Sequence, residues 1–86
     1  MWRLVFTARA QRDARKIAAA GLRHQAEKLL KILRSNPHQS PPRFERLVGD
    51  LKGACSRRIN VQHRLVYEVI ESARIVKILR MWSHYE

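Results

Sequence analysis

The chain has 86 residues, of which 18 are Lys or Arg and 7 are Asp or Glu, so its formal charge is +11 with the four histidines neutral. With 45% hydrophobic and 29% charged residues it has the composition of a folded domain, which argues against a disordered basic tail. Its length allows one modest core, and its charge favours a polyanionic partner: nucleic acid, an acidic protein or, less readily, anionic lipid. We predict a single domain over residues 1–86.

Cysteine content and hydropathy favour a cytoplasmic protein. The single cysteine, Cys55, cannot form an intramolecular disulfide, and small secreted domains usually depend on several. The first residues lack the apolar run and cleavage site of a signal peptide, and nowhere do about 18 apolar residues follow one another. We therefore expect no membrane span and no membrane partner.

The first half of the chain predicts a strand and two helices. Residues 2–6 are β-rich and end at Thr7, a good helix N-cap. An Ala- and Arg-rich helix follows from Ala8, and Gly21 stands where a C′ glycine ends a helix. A second helix carries apolar residues at helical spacing until Asn36-Pro37 stops it; the stripe is Leu22, Ala26, Leu29, Leu30 and Leu33.

The second half predicts a loop and then strands. Residues 35–43 form a Pro- and Ser-rich surface loop, residues 55–60 and 64–70 read as a hairpin, and residues 74–82 read as a further strand. In that last strand, alternation puts Arg80 on the face of Val76 and Ile78, and Met81 on the face of Ile75 and Leu79. The predicted fold is α+β, with the order β-α-α followed by an antiparallel β-meander.

Motifs for metals and nucleotides are missing from the sequence. The four histidines are scattered and there is one thiol, so we expect no metal site. No P-loop, dinucleotide fingerprint or G-x-S-x-G motif occurs, so we expect no cofactor. A basic set remains on the predicted strands, with Glu45 just before the sheet and His84-Tyr85 near the end; the set is Arg57, Arg58, Arg64 and Arg80.

Each of these residues also has an ordinary structural interpretation. On a chain with 18 cations a single Arg is by default a surface or ion-pair residue, and a His near a terminus is commonly a frayed tail residue. Tyr67 alternates with Leu65 and Val69, which favours a core position. Trp82 is a packing residue by the same reasoning, or a stacking face for a base. Composition alone therefore leaves chemistry and solvated charge both open.

Residues 45–85 resemble the YoeB branch of the RelE-like toxins of bacterial toxin–antitoxin modules. The resemblance rests on three segments at the family's spacing, Ser56-Arg57-Arg58-Ile59, residues 63–67 (HRLVY) and His84-Tyr85. Leu47, Leu51 and Gly53 fit the segment before them. The resemblance implies two helices packed on one face of the sheet, and a toxin that cleaves messenger RNA in the ribosomal A site until a cognate antitoxin with an acidic C-terminal segment inhibits it.

The resemblance also implies roles for six residues. Glu45 is similar to the family's general base, His84 to its general acid and Arg64 to the residue that stabilises the transition state. Arg58 assists Arg64, and Tyr85 positions the substrate. The family often has a basic residue where this chain has Val48, and Lys52 is the candidate to replace that contact with substrate. Metal-independent attack by the 2′-OH needs such a base, acid and cation set.

Two features set this chain apart, and two other function classes stay open. Val48 removes one positive charge from the expected site, and the side-chain and terminal carboxylates of Glu86 add negative charge beside His84-Tyr85. Both changes concern the level of catalytic activity. A non-catalytic inhibitor of the same fold, for example of DNA gyrase, and a basic nucleic-acid-binding module are the alternatives. The joint presence of Glu45, Arg64, His84 and Tyr85 favours the enzyme. Besides the antitoxin, a second copy of the chain, giving a homodimer, is a candidate partner.

Overall fold

Residues 1–82, the part of the chain that the computed structural model describes, form five strands and two α-helices. In chain order these are β1 (Arg3–Phe6), α1 (Ala8–Ala19), α2 (Arg23–Ser35), β2 (Phe44–Arg46), β3 (Cys55–Arg58), β4 (Arg64–Ile70) and β5 (Ile75–Arg80). The strands make one sheet in the order β1-β5-β4-β3-β2, in which β1 runs parallel to β5 and the other pairs are antiparallel. The predicted α+β class and the β-α-α order are confirmed.

The two helices begin and end where the sequence places the signals. The Thr7 hydroxyl accepts a hydrogen bond from the Ala10 amide at 3.0 Å and donates one to the Leu79 carbonyl at 3.1 Å, which ties the start of α1 to β5. Gly21 has a φ of +78°, a left-handed conformation that lets the chain reverse into α2. α2 ends at Ser35, and its C-cap residue Asn36 is already extended before Pro37.

The sheet has a helix-covered face and an open face. Buried residues of both helices, Ile17 and Leu33 among them, pack with Tyr67 and Ile78 in the main core on the helix-covered face. The open face holds a smaller apolar cluster around Val66, formed with Leu47 and Ala54 and partly buried Leu51 and Leu79. The helices therefore cover one face only, and polar side chains of the strands have room on the other.

A β-bulge in β5 changes which residues share a face. Tyr67 pairs with Ile78 but Val66 pairs with Arg80, so Leu79 is an extra residue in β5. Cross-strand partners share a face, so Arg80 lies on the open face beside Val66, and Met81 returns to the main core. The prediction that Arg80 shares the face of Val76 and Ile78 is wrong, as is the grouping of Met81 with Ile75 and Leu79, because the bulge reverses the alternation.

Strand β2 was not anticipated from the sequence. Glu45, expected just before the sheet, lies inside it and pairs with Ser56 of β3. β2 has only three residues, Phe44-Glu45-Arg46, and lacks an alternating apolar pattern. A loop with a short 3₁₀ turn (Gly49–Leu51) connects it to β3. No helix within residues 1–82 is both long and apolar enough to cross a membrane.

Candidate active site

Strand alternation collects four polar residues on the open face of the sheet. Glu45 of β2 pairs with Ser56 of β3, and Arg58, two residues along β3, pairs with Arg64 of β4. Because side chains two apart and cross-strand partners lie on one face, these residues form a patch across three neighbouring strands. The structure thus brings together three of the six predicted site residues, Glu45, Arg58 and Arg64.

An ion pair forms the centre of this patch. Arg64 Nη1 lies 2.6 Å from Glu45 Oε1 and also donates a hydrogen bond to Ser56 Oγ at 3.1 Å. The Arg64 side chain is 21% exposed and that of Glu45 is 45% exposed, so an incoming molecule can reach both. The arginine is held beneath the carboxylate, with the serine hydroxyl fixing its direction.

The arginines around Glu45 hold the pKa of its carboxyl group below the ordinary value. The hydrogen bond and the charge of Arg64 are the main causes, and the charges of Arg43 and Arg58 act in the same direction. Glu45 is therefore ionised at neutral pH, which is the protonation state that a general base needs.

The patch lines a surface cavity of about 340 Å³. Its walls come from β2, β3, β4 and the end of the loop before β2: Pro42, Arg43, Glu45, Ser56, Arg58 and Arg64. Three guanidinium groups and one carboxylate leave an excess of two positive charges. A cavity of this charge attracts an anion and stabilises one that gains charge during a reaction.

Arg57, the neighbour of Arg58 in β3, lies on the helix-covered face and is 1% exposed. Its guanidinium group donates to the Tyr67 hydroxyl at 2.9 Å and to three carbonyl oxygens of the preceding loop: Pro42 at 2.6 Å, Gln39 at 2.8 Å and Pro37 at 3.0 Å. Burial raises the pKa of Tyr67, which keeps its hydroxyl neutral. The sequence grouped Arg57 with the other strand arginines, and only the strand's alternation separates it from them.

The chain is also fixed just before its last four residues. The buried Asp13 carboxylate of α1 accepts hydrogen bonds from the backbone amides of Met81 at 3.0 Å and Trp82 at 3.3 Å. The Trp82 ring stacks on His63 with 4.1 Å between centroids, and Lys16 lies 5.9 Å from that ring. His63 directly precedes Arg64, the first residue of β4, so the stacking contact holds Trp82 beside the start of β4.

Of the other three predicted site residues, only Lys52 lies within the described residues. His84 and Tyr85 lie outside the described residues 1–82, as does Glu86. Lys52 is exposed directly after the 3₁₀ turn, where its backbone amide donates to the Gly49 carbonyl, and it is not part of the cavity wall. Val48, where the family resemblance led us to expect a basic residue, is 86% exposed.

Two polar cavity residues, Ser56 and Arg43, received no role from the sequence. Ser56 belongs to the recognised motif, and the period-2 alternation of β3 shows that it shares the face of Arg58. Arg43 stands in the Pro-rich loop, where no periodicity applies. Among residues 1–82, no three His, Cys, Asp or Glu side chains come together in a way that would hold a metal ion.

Comparison with known proteins gives a consistent assignment of family. Residues 4–85 match the family model described as the YoeB-like toxin of bacterial type II toxin–antitoxin systems. A segment of 51 residues is 41% identical to toxin HigB-1 of Vibrio cholerae, covering 59% of this chain and 47% of that protein. The match thus spans about half the length of this curated relative.

Solved structures agree over nearly the whole chain. A YoeB/ParE toxin from Agrobacterium tumefaciens is 28% identical, with a TM-score of 0.86 over 96% of this chain and 99% of its own. The Staphylococcus aureus YoeB–YefM toxin–antitoxin complex contains a chain that is 30% identical, with a TM-score of 0.80 over 99% of both. A YoeB dimer from the same organism is also 30% identical, with a TM-score of 0.81 over 98% of both chains. The likeness therefore extends over both halves of the chain.

Proposed function

Because the chain belongs to the YoeB-like toxins of bacterial type II toxin–antitoxin systems, we propose that it is a ribosome-dependent endoribonuclease that cleaves messenger RNA in the A site and inhibits translation. The observation that carries this proposal is the Glu45–Arg64 pair in an open, positively charged cavity. A carboxylate that is ionised at neutral pH, next to cations, is what base-assisted cleavage of an RNA phosphodiester requires.

In the proposed reaction Glu45 takes the proton of the 2′-OH as the 2′-oxygen attacks phosphorus. The bond to the 5′-oxygen breaks, His84 supplies the proton to that leaving oxygen, and a 2′,3′-cyclic phosphate and a 5′-OH result. Tyr85 positions the substrate beside His84. No metal ion or cofactor takes part in these steps.

Arg64 has to change partners during this reaction. In the free toxin its Nη1 bonds to Glu45, which keeps the carboxylate ionised but makes it a weak base. When an RNA phosphate enters the cavity, Arg64 turns towards the phosphate and stabilises the charge that develops there, while Arg58 assists from the neighbouring strand. The pKa of Glu45 then rises, because its main positive neighbour is shared with the phosphate. Substrate binding thereby makes Glu45 a stronger base.

We expect a cognate antitoxin as the resting-state partner. The S. aureus YoeB in the comparison is bound to YefM, and the open face of the present chain suits an acidic, flexible segment that folds on contact. We propose that the acidic C-terminal segment of the antitoxin covers Glu45 and Arg64 on the open face and also covers His84. The existence of a YoeB dimer makes a homodimer a further possibility for this chain. A purified toxin–antitoxin complex that leaves this face open and still cleaves RNA would contradict the proposed mode of inhibition.

The ribosome requirement can be tested by comparing two substrates at equal concentration. One is a messenger RNA programmed in the A site of purified ribosomes, and the other is the same RNA free in solution. We expect much faster cleavage on the ribosome, because it holds the scissile phosphate in a fixed geometry that one small domain does not impose alone. Equal single-turnover rates on both substrates would contradict the proposal, as would the absence of cleavage on ribosomes.

A further inference from the structure

The loop before β2 supplies to the cavity a cation, Arg43, to which the sequence analysis assigned no role. Arg43 is exposed, lines the cavity together with Arg58 and Arg64, and directly precedes β2, the strand of Glu45. Within residues 1–82 its side chain has no hydrogen bond or ion pair. Its charge nevertheless reaches the site, since it contributes to the lowered pKa of Glu45. Arg43 therefore faces the cavity with its donors available to a ligand.

The backbone next to Arg43 is held by a buried arginine. Arg57 donates its shortest hydrogen bond, at 2.6 Å, to the carbonyl oxygen of Pro42, the residue before Arg43. Its other terminal nitrogen bonds to the Pro37 and Gln39 carbonyls, so one guanidinium group fixes the loop at three points. The Arg57 guanidinium also lies 4.7 Å from the ring of Phe44, the residue after Arg43. Both chain neighbours of Arg43 are thus in contact with Arg57.

Within the described part of the chain, residues 1–82, the buried Arg57 has no carboxylate partner, and this calls for an explanation. Arg57 is 1% exposed, and the four acceptors of its hydrogen bonds are neutral oxygen atoms. Burying a cation is costly, and an apolar side chain could fill the same space. What an apolar side chain cannot do is bind three loop carbonyls in a fixed geometry, because only the guanidinium fork offers several directed donors.

We propose that Arg43 is an additional substrate-binding residue that contacts an RNA phosphate in the cavity, and that Arg57 is a positioning residue that acts through Arg43 by holding its loop. This inference rests on the proposed ribonuclease function. RNA adjacent to the scissile bond carries a phosphate at every nucleotide, and a bidentate guanidinium is well suited to bind one. Arg64 and Arg58 bind the reacting phosphate. Arg43, on the cavity wall opposite β4, binds the phosphate of a neighbouring nucleotide of the RNA.

The first test is a set of single-turnover cleavage measurements on ribosome-bound RNA over a range of toxin concentrations. We expect Arg43→Ala to raise the half-saturating concentration by about 10-fold, the effect of losing one charge-assisted contact, while Arg43→Lys restores most of it. Arg46→Ala is the matched control: it removes an exposed cation from β2 itself, but one that lines a different cavity, so we expect less than a 2-fold change. Equal effects of Arg43→Ala and Arg46→Ala would overturn the role of Arg43.

The second test asks whether Arg57 acts through Arg43. Arg57→Lys keeps the charge but offers a single nitrogen to the loop. We therefore expect it to raise the half-saturating toxin concentration as Arg43→Ala does. In the Arg43→Ala background Arg57→Lys should then cause no further weakening, whereas a general structural defect would add its own loss. Independent, multiplicative effects in the double variant would overturn the positioning role. Thermal melts of all variants report whether each is folded at the assay temperature.

A binding measurement separates this inference from the proposed function. Fluorescence anisotropy with a short RNA whose 2′-OH groups are methylated reports binding by the isolated toxin without any cleavage. We expect Arg43→Ala to weaken this binding more than Arg46→Ala does. If wild-type toxin fails to cleave on ribosomes, the proposed function is wrong, and the binding comparison still tests the role of Arg43. Equal affinities of the two variants for the RNA would overturn the inference whatever the cleavage assay shows.

Discussion

Arg57 and Arg58 are consecutive residues of one strand, but they lie on opposite faces of the sheet and in different surroundings. Arg57 points to the helix-covered face, where it is buried and bonded to neutral oxygen atoms, and Arg58 points to the open face, where it lines the cavity beside Glu45. Both carry the same charge, so the alternation of the strand alone decides their surroundings. In a chain with 18 cations, the type of a residue therefore predicts little about its role, whereas the face of the sheet on which it lies predicts most of that role.

The carboxylates of Asp13 and Glu45 differ in the same way as the two arginines, one having a structural position and the other an exposed one. Asp13 is buried and accepts two backbone amide hydrogen bonds, which makes it part of the structure. Glu45 is exposed and paired with a partly exposed arginine, which leaves it available to a substrate. The helix-covered face thus uses charged groups to fix backbone segments, and the open face presents them to solvent. Substitutions on the two faces should consequently affect different measurements.

The largest expected difference in stability is between the two neighbouring arginines. Arg57→Met leaves three loop carbonyls and the Tyr67 hydroxyl without their donor, so we expect a loss of about 3 kcal/mol in the free energy of unfolding. Arg58→Met removes an exposed cation and should change it by less than about 0.5 kcal/mol. Urea denaturation followed by circular dichroism measures both. Equal losses in the two variants would contradict the division between the faces.

A smaller loss is expected at Asp13. Asp13→Ala leaves the buried amide of Met81 and the partly buried amide of Trp82 without their acceptor, which should cost about 2 kcal/mol in the free energy of unfolding. Asp13→Asn keeps an amide oxygen at the same place and should cost less. Glu45→Gln, on the open face, should leave unfolding nearly unchanged. The same denaturation experiment applies, and a loss for Glu45→Gln as large as that for Asp13→Ala would show that the open-face pair is structural.

The helices and the central strands could be predicted because their signals are local. Thr7, Gly21 and Asn36-Pro37 set the helix ends, and the limits of β4 follow from its β-rich run. β2 and the bulge at Leu79 could not be predicted, since three residues carry no periodicity and a bulge is visible only against its partner strand. Their consequences are concentrated at the site: β2 carries Glu45, and the bulge brings Arg80 to the open face.

The candidate site was predictable where it rests on a motif and not where it rests on packing. Glu45, Arg58 and Arg64 were expected from the family resemblance, and the structure brings them into one cavity. Ser56 lay inside the motif but its bond to Arg64 needs the register of β3 and β4. The link between Arg57 and Arg43 depends on a loop that folds back against the sheet, and no local sequence pattern encodes that packing. The assigned roles in catalysis stay predictions.

The lowered pKa of Glu45 provides the smallest but most specific effect. In the wild type the carboxyl group should titrate below its ordinary value of 4.5, and in Arg64→Gln its pKa should rise because the main positive partner is gone. A lowered folded-state pKa means that the pair stabilises the fold above the unfolded-state pKa and stops doing so as the pH falls through the folded-state pKa. Carbon-13 NMR of the Glu45 carboxyl group measures the midpoint. Lys28→Gln on α2 is the control, and an equal midpoint in wild type and Arg64→Gln would contradict the account of the pair.

The central claim, that the open face is the catalytic site, is tested most directly by single-turnover cleavage of A-site messenger RNA with Arg64→Ala, His84→Ala and Lys28→Ala. We expect Arg64→Ala and His84→Ala each to lower the rate by at least about 10²-fold, because they remove transition-state stabilisation and the general acid. Ribosome binding should change only a few-fold in all three, since each loses at most one of many cations, and Lys28→Ala should cleave almost as fast as the wild type. Glu45→Ala should have a smaller effect than Arg64→Ala, because solvent or a ribosomal group can partly replace a base. Indistinguishable cleavage rates for Arg64→Ala, His84→Ala and Lys28→Ala, with all three folded, would contradict the claim and favour a binding module with solvated surface charge.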